Sequence, residues 1–302
     1  MPSHKRLCLL ANWIDKTNLR NDIAFELSRR LSGLEWTPSG KFIDVVFNGT
    51  YCGNYYICEQ IKVSPIRLNI DELTSKDVSG EDLTGGYLLE LDSYFDEEYK
   101  FKSSLGLPFN LKSPDENVAN EQLEYIQNFI NYIEQKLINH TVFSDIESLI
   151  DTKSFADWWL LQEITQNWEP NHPKSSYIYK KRNGKLYAGP AWDFDYGTFN
   201  TNQGWYNSEA IWYKYLLSYP EFTQILKDEW NKHRSSLYSI SDYIDVQCEL
   251  ISVSSKYDEQ IWPIIGSNVN GDESLTHKES VNRLKSNLIN RLKWIDQHIN
   301  SL

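Results

Sequence analysis

Two short motifs lie close together in the sequence, Glu169-Pro170-Asn171-His172-Pro173-Lys174-Ser175 and Trp192-Asp193-Phe194-Asp195. A helical pattern from about residue 152 to residue 167, with Asp151 as its N-cap, precedes the first motif. Two prolines forbid the helix from continuing, and a hairpin pattern around Asn183-Gly184 separates the two motifs. This order can return the loop beside the acidic segment, so the sequence predicts one shared site.

The acidic segment predicts a metal site. If residues 192–196 are extended, Asp193 and Asp195 emerge on one face, while Trp192, Phe194 and Tyr196 turn toward the core. Two carboxylates so placed suit Mg²⁺, which prefers oxygen ligands and bridges to substrate phosphates. A half-solvated strand shows the same alternation without any function, so this interpretation stays open.

The preceding loop adds groups that could act on a substrate. Glu169 could accept a proton from an attacking hydroxyl, which makes it the candidate catalytic base. Asn171 or His172 could complete a metal shell or orient a phosphate, and Lys174 could contact an anion. Each also has a structural alternative, and for His172 a surface histidine is the favoured interpretation.

Patterns on either side predict the fold class. Helical spacing covers residues 17–31, strands are predicted at 42–47 and 55–61 around Asn48-Gly49, and further strands at 87–91 and 108–112. From residue 118 onward helical periodicity dominates. The sequence therefore predicts a single α+β domain, with a strand-rich N-lobe (1–117) and a mainly helical C-lobe (118–302).

Composition excludes several classes of protein. The net charge of −12 disfavours nucleic acid as a partner, because phosphate backbones are bound through clustered Lys and Arg. No run of about 18 apolar residues predicts a membrane span, and the short Leu7–Ala11 stretch makes a poor secretory signal. Aromatic residues are abundant, which favours a heavily packed core over a sugar-stacking surface.

The four cysteines, at positions 8, 52, 58 and 248, follow no zinc-binding spacing. Cys52 and Cys58 are expected on one strand, where six residues span roughly 20 Å, too far for a disulfide between them. Other pairings stay open.

Taken together, several motifs resemble the spore coat protein H (CotH) family of kinase-like proteins over nearly the whole chain. The motifs that carry the resemblance are Ala11-Asn12 with Asp15-Lys16-Thr17 and Arg20-Asn21, Asn48-Gly49 through Tyr55 with Glu59-Gln60, Gly85-Gly86-Tyr87-Leu88-Leu89-Glu90-Leu91-Asp92, Leu111-Lys112-x-Pro114-Asp115, and the two opening motifs. The Glu-Pro-Asn-His-Pro-Lys-Ser form resembles a branch of that family.

The resemblance implies an atypical, bilobal kinase-like fold that binds ATP with Mg²⁺ or Mn²⁺ and phosphorylates Ser or Thr of a protein. It assigns metal binding to Asp193, with Asp195 in support, and the base position to Glu169, where the family has an aspartate. It also implies an extracytoplasmic, cell-surface or spore-associated location.

A lysine and its partners complete the expected site. Lys112 is the candidate phosphate-binding lysine, with Glu59 or Glu90 to orient it, and Arg20 could reach a phosphate or form a surface salt bridge. No glycine-rich phosphate loop of the ordinary kinase or P-loop type occurs in the sequence.

Two alternative functions remain: a pseudokinase or surface module that binds a protein or glycan, and a glycoside hydrolase using Glu169 with Asp193 or Asp195.

Overall fold

The computed structural model describes residues 6–201, 203–263 and 269–302. The described chain mixes helices with two antiparallel sheets, as the α+β prediction requires. Most of the basic start, residues 1–5, lies outside the described residues.

The first sheet has three strands, β1 (Leu7–Leu10), β2 (Gly40–Phe47) and β3 (Thr50–Glu59), in the order β1-β3-β2. The predicted hairpin between β2 and β3 is confirmed. Its two loop residues, Asn48 and Gly49, both have positive φ angles, 49° and 80°, as a two-residue turn of the type I′ class requires. Strand β1 was not predicted, because four residues are too few to show a pattern.

The second sheet has five strands, β4 (Tyr87–Leu91), β5 (Lys100–Lys102), β6 (Pro108–Ser113), β7 (Ser176–Lys180) and β8 (Leu186–Ala188), in the order β5-β6-β4-β7-β8. It takes strands from both sides of residue 117, and the division into lobes at that residue stays a prediction. The ladder between β4 and β6 is irregular. Leu88 lies opposite Ser113 and Leu89 opposite Leu111, so Lys112 falls between the two pairs, in a β-bulge.

Helices occupy most of the remaining chain. They are α1 (Arg20–Arg30), α2 (Asn120–Ile138), α3 (Phe143–Leu149), α4 (Thr152–Thr165), α5 (Tyr213–Leu216), α6 (Pro220–Tyr238), α7 (Ile240–Leu250), α8 (Ser254–Ile261) and α9 (His277–His298). The predicted N-cap of α4 is confirmed, since Asp151 Oδ1 accepts a hydrogen bond from the Ser154 amide at 2.8 Å. None of these helices is both long and apolar enough to cross a membrane.

Helix α4 lies at the centre of the core. It packs against α1, α6, α9 and β8, and nearly all of its residues are buried. Trp159 on α4, Trp212 before α5 and Trp230 on α6 are among the largest fully buried side chains. The loop that follows α4 therefore starts from a rigid base.

Candidate functional site

A row of polar side chains crosses the second sheet. Glu90 on β4 lies directly opposite Tyr177 on β7 and Asn110 on β6, so the three residues share one face. The Tyr177 side chain interacts with Glu90 and lowers the pKa of its carboxyl group. Lys112 Nζ lies 3.3 Å from Glu90 Oε2 and also contacts Glu97. Lys112 therefore reaches Glu90 from the bulge position, next to the pair that Leu89 forms with Leu111.

The pKa values of Lys112 and Glu90 are both raised, which favours the charged form of the lysine and the neutral form of the glutamate. Burial lowers the pKa of Lys112, but its hydrogen bond to Glu97 and the charges of Glu90 and Glu97 outweigh burial, and the net shift is upward. Lys112 therefore stays protonated at neutral pH. Burial raises the pKa of Glu90, and the Tyr177 hydroxyl and Lys112 offset that rise in part.

The loop after α4 is fixed by hydrogen bonds at both ends. The helix ends at Thr165, and the φ of 53° at the next residue, Gln166, turns the chain sharply. Asn167 Oδ1 then accepts a hydrogen bond from the Glu169 amide at 3.1 Å. Further along, the Ser93 amide donates to the Pro173 carbonyl at 2.7 Å. This second bond attaches the loop to the segment just beyond β4, so it brings Glu169 to the end of the strand that carries Glu90.

A buried ion pair lies beneath the loop. Arg291 on α9 donates to Glu163 Oε2 on α4 at 2.6 Å, and Glu163 also accepts from the amides of Tyr206 and Asn207. Asn207 Oδ1 in turn accepts from Asn171 Nδ2 at 3.3 Å. The amide nitrogen of Asn171 is thus committed to the protein, which leaves its Oδ1 as the atom that a metal could take.

The acidic segment is not a strand, so the prediction of extended backbone at residues 192–196 is wrong. Asp193 has a φ of 64°, in the left-handed region, and the segment forms no ladder. Phe194 is buried as expected, but Tyr196 is 54% exposed and does not reach the core. Two hydrogen bonds to other segments stabilise this bend. The Phe194 amide donates to Asn21 Oδ1 at 2.8 Å, and Ser175 Oγ donates to Asp193 Oδ2 at 3.0 Å.

The carboxylates of the loop and of the acidic segment form one electrostatic cluster. Burial and then the charge of Asp193 raise the pKa of Glu169 to about 7, and Asp195 and Asp92 add to the rise while Lys174 opposes it. Burial followed by Asp193 likewise raises the pKa of Asp195 to about 7. Burial also raises the pKa of Asp193, against the hydrogen bond from Ser175. A divalent cation would relieve this mutual repulsion.

Asp92 and Tyr177 are site residues that sequence reasoning missed. The charge of Asp92 raises the pKa of Glu90, Asp193 and Glu169, so Asp92 lies within electrostatic range of both Glu90 and the carboxylate cluster. One signal was available, because Asp92 stands two residues after Glu90 and extends the same face of β4. Tyr177 had no comparable signal, since its partner is remote in sequence.

Two of the residues predicted for nucleotide binding are engaged with other protein groups, although the charge of Arg20 still acts on Asp195. Glu59 accepts hydrogen bonds from the amide and hydroxyl of Ser39 and lies 3.7 Å from Arg67, so of the two glutamates Glu90 is the one beside Lys112. Arg20 is buried between Asp15 and Asp272, where its guanidinium is already paired.

The two remaining loop residues lie at the surface. Lys174 reaches the Tyr94 hydroxyl at 3.2 Å, and its charge still lowers the pKa of Glu169. His172 is exposed and lies against the Trp168 ring at 4.7 Å.

A cavity of about 320 Å³ opens beside Lys112. It lies between the two sheets, and its lining includes Cys8, Lys62, Glu97, Lys112, Tyr177 and Trp192. The volume is at the lower end of the range for small-molecule sites, roughly 300 to 1,000 Å³. Lys112 and Tyr177 thus line a pocket of the size that could admit a small ligand.

A second group with metal-ligand chemistry lies apart from this site. Asp157 on α4 and Glu229 and His233 on α6 place one donor atom each within 4.8 Å of one another, the sole such His, Cys, Asp or Glu group of three among the residues described. Lys232 donates to Glu229 Oε2 at 2.9 Å, and Lys153 lies 3.5 Å from Glu229 Oε1. Lysines therefore already balance the charge of this group.

A lysine paired with a glutamate, within electrostatic range of several carboxylates, provides the kinds of group that a kinase-like site uses. The sequence agrees with this class, because the family model described as CotH kinase protein matches residues 1–295. The chain belongs to the CotH kinase family. Membership indicates a kinase-like fold and suggests a kinase-like function. No curated protein matches the chain.

Proposed function

We propose that this protein is an atypical kinase that transfers phosphate from ATP, with a divalent cation, to Ser or Thr of a protein substrate. The observation that supports it is that two groups lie within electrostatic range of the same residue, Asp92: the Lys112–Glu90 ion pair at 3.3 Å, and the carboxylates of Glu169, Asp193 and Asp195. Neither group alone distinguishes a kinase from an ordinary charged surface.

Each residue has a role that follows from its chemistry. Lys112 is protonated and would bind phosphate oxygens, while Glu90 and Tyr177 orient it. Asp193 and Asp195, with Asn171 Oδ1 as a further candidate, offer the hard oxygen donors that Mg²⁺ or Mn²⁺ requires. The bound cation would neutralise phosphate charge. Glu169 would accept the proton of the attacking hydroxyl, and Lys174 would contact an anion at the outer edge.

The test is a titration of Mg²⁺ and ATP into the wild type and Asp193→Ala by calorimetry, followed by mass spectrometry for autophosphorylation. The wild type should bind and become phosphorylated, and Asp193→Ala should lose Mg²⁺-dependent binding. Asp228→Ala, at an exposed position on α6, is the matched control and should bind as the wild type does. Equal nucleotide affinity in Asp193→Ala and the wild type would exclude the proposal.

A second candidate is a nucleotide-binding pseudokinase. It is favoured by one observation: Glu169 stands where the family has an aspartate, and the extra methylene displaces the carboxylate from the position of that base. Such a protein would still gain about 2.7 kcal/mol of stability from ATP at 100 times its dissociation constant. Binding without any phosphate transfer, in the presence of Mg²⁺ or Mn²⁺, would select this candidate.

A further inference from the structure

Two cysteines face each other across the edge of the first sheet. Cys8 on β1 and Cys58 on β3 are direct partners in the antiparallel register. Such partners have Cα atoms roughly 4.5 to 5.5 Å apart, inside the range of about 4.4 to 6.8 Å that a disulfide tolerates. Both thiols are free and in hydrogen-bonding contact. The backbone already has the spacing that a covalent bond would need.

We propose that Cys8 and Cys58 are a thiol pair that closes into a disulfide between β1 and β3 when a small-molecule disulfide is available. The inference does not depend on the proposed kinase activity. It concerns a covalent modification that can be read from the mass of the protein.

The two thiols differ in exposure and in pKa, and these differences determine which cysteine reacts first with the disulfide. Cys8 is half-buried, and the hydrogen bond from Cys58, helped by the charge of Arg67, lowers its pKa to about 7 against the effect of burial. Arg67 is held beside the pair by bonds to the carbonyls of Gln60 and Arg6. The hydrogen bond to Cys8 and burial both raise the pKa of the fully buried Cys58. Cys8 is therefore the attacking thiolate and Cys58 the resolving thiol.

The reaction balances with oxidised glutathione as the oxidant. The Cys8 thiolate, having lost its proton to solvent, attacks one glutathione sulfur, breaks the S–S bond and releases one glutathione thiolate. Cys58 gives its proton to that thiolate and attacks Cys8 Sγ, which expels the second glutathione as a thiolate that takes a proton from solvent. The protein loses two electrons and two protons, and glutathione disulfide is reduced to two thiols.

The bond would fix a wall of the cavity that contains Lys112. Within the part of the chain that the structure describes, strand β1 pairs with β3 alone, and Cys8 lines the same cavity as Lys112 and Tyr177. A cross-link between residues 8 and 58 closes a loop of about 50 residues, which predicts a rise in melting temperature of roughly 5 °C.

The experiment treats the full chain with oxidised glutathione and maps disulfides in the unreduced protein by digestion and mass spectrometry. The expected product has lost two hydrogens and joins the Cys8 and Cys58 peptides, with the melting rise reversed by dithiothreitol. Cys58→Ser should trap glutathione on Cys8. Cys52→Ser, on the same strand, should still form the bond.

Two outcomes would overturn the inference. The first is wild-type protein in which Cys8 and Cys58 stay reduced or each carries a separate glutathione. The second is a cross-link to Cys52 or Cys248 in place of the expected pair. Both are read from wild-type protein, so they hold even if a serine variant fails to fold.

Discussion

The buried ion pair between Glu163 and Arg291 gives the sharpest prediction for the support of the candidate site. Replacing Glu163 by Gln leaves the Arg291 guanidinium buried without its carboxylate, and weakens the acceptor of the Tyr206 and Asn207 amides. Breaking a buried pair in this way costs about 3 to 5 kcal/mol. We therefore expect Glu163→Gln to lower the melting temperature by roughly 10 °C.

The assay is urea unfolding and scanning calorimetry at neutral pH. Glu147→Gln, at an exposed position on α3, is the matched control and should stay within about 0.5 kcal/mol of the wild type. The double variant Glu163→Gln/Arg291→Met removes both buried charges and should recover much of the loss. A single variant within about 1 kcal/mol of the wild type, or a double variant no more stable than the single one, would refute the reasoning.

Three further predictions test other parts of the molecule. Burial raises the pKa of Asp157 from 3.8 to about 7, so its protonated form stabilises the fold below pH 3.8. This contribution, about 4 kcal/mol, is lost as the pH rises to about 7. Asp157→Asn should remove that loss in thermal melts compared across this pH range, and an unchanged pH profile would contradict the prediction. Lys112→Met should weaken ATP binding at least tenfold, about 1.4 kcal/mol, in calorimetry while far-UV circular dichroism stays unchanged, and undiminished affinity would remove Lys112 from the site. Asn21→Ala deprives the Phe194 amide of its acceptor and should cost about 1 to 3 kcal/mol in urea unfolding, so a neutral result would show that the bend does not need Asn21.

Local signals predicted most of the secondary structure. The turn pairs Asn48-Gly49 and Asn183-Gly184 located both hairpins, and the Asp151 cap located the start of α4. These features depend on neighbours in sequence. The extended backbone predicted at Asp193 failed because its left-handed φ accompanies a hydrogen bond from the next residue to Asn21, 173 positions from Phe194. No local pattern contains that partner.

The candidate site was predictable only in its charged residues. Lys112, Glu90 and the aspartates were named from chemistry, but their grouping depends on β4 pairing with both β6 and β7. That pairing places Tyr177 opposite Glu90 and fixes which glutamate meets Lys112. Asp92 was missed because its role follows from the loop that returns through the Pro173 carbonyl. Strand order therefore decides the site, and single-sequence patterns do not contain strand order.

Lys112 contributes a charge to the candidate site, but it forms no pair in the ladder between β4 and β6. Leu89 pairs with Leu111 on one side of Lys112, and Leu88 pairs with Ser113 on the other. A chain lacking Lys112 could therefore form the same pairs in a regular ladder without a bulge. Deleting this one residue would then leave the architecture nearly intact while it removes the only cation that contacts Glu90 among the described residues. A chain that had lost the residue between Leu111 and Ser113 would therefore be expected to keep the sheet and lose the cation beside Glu90.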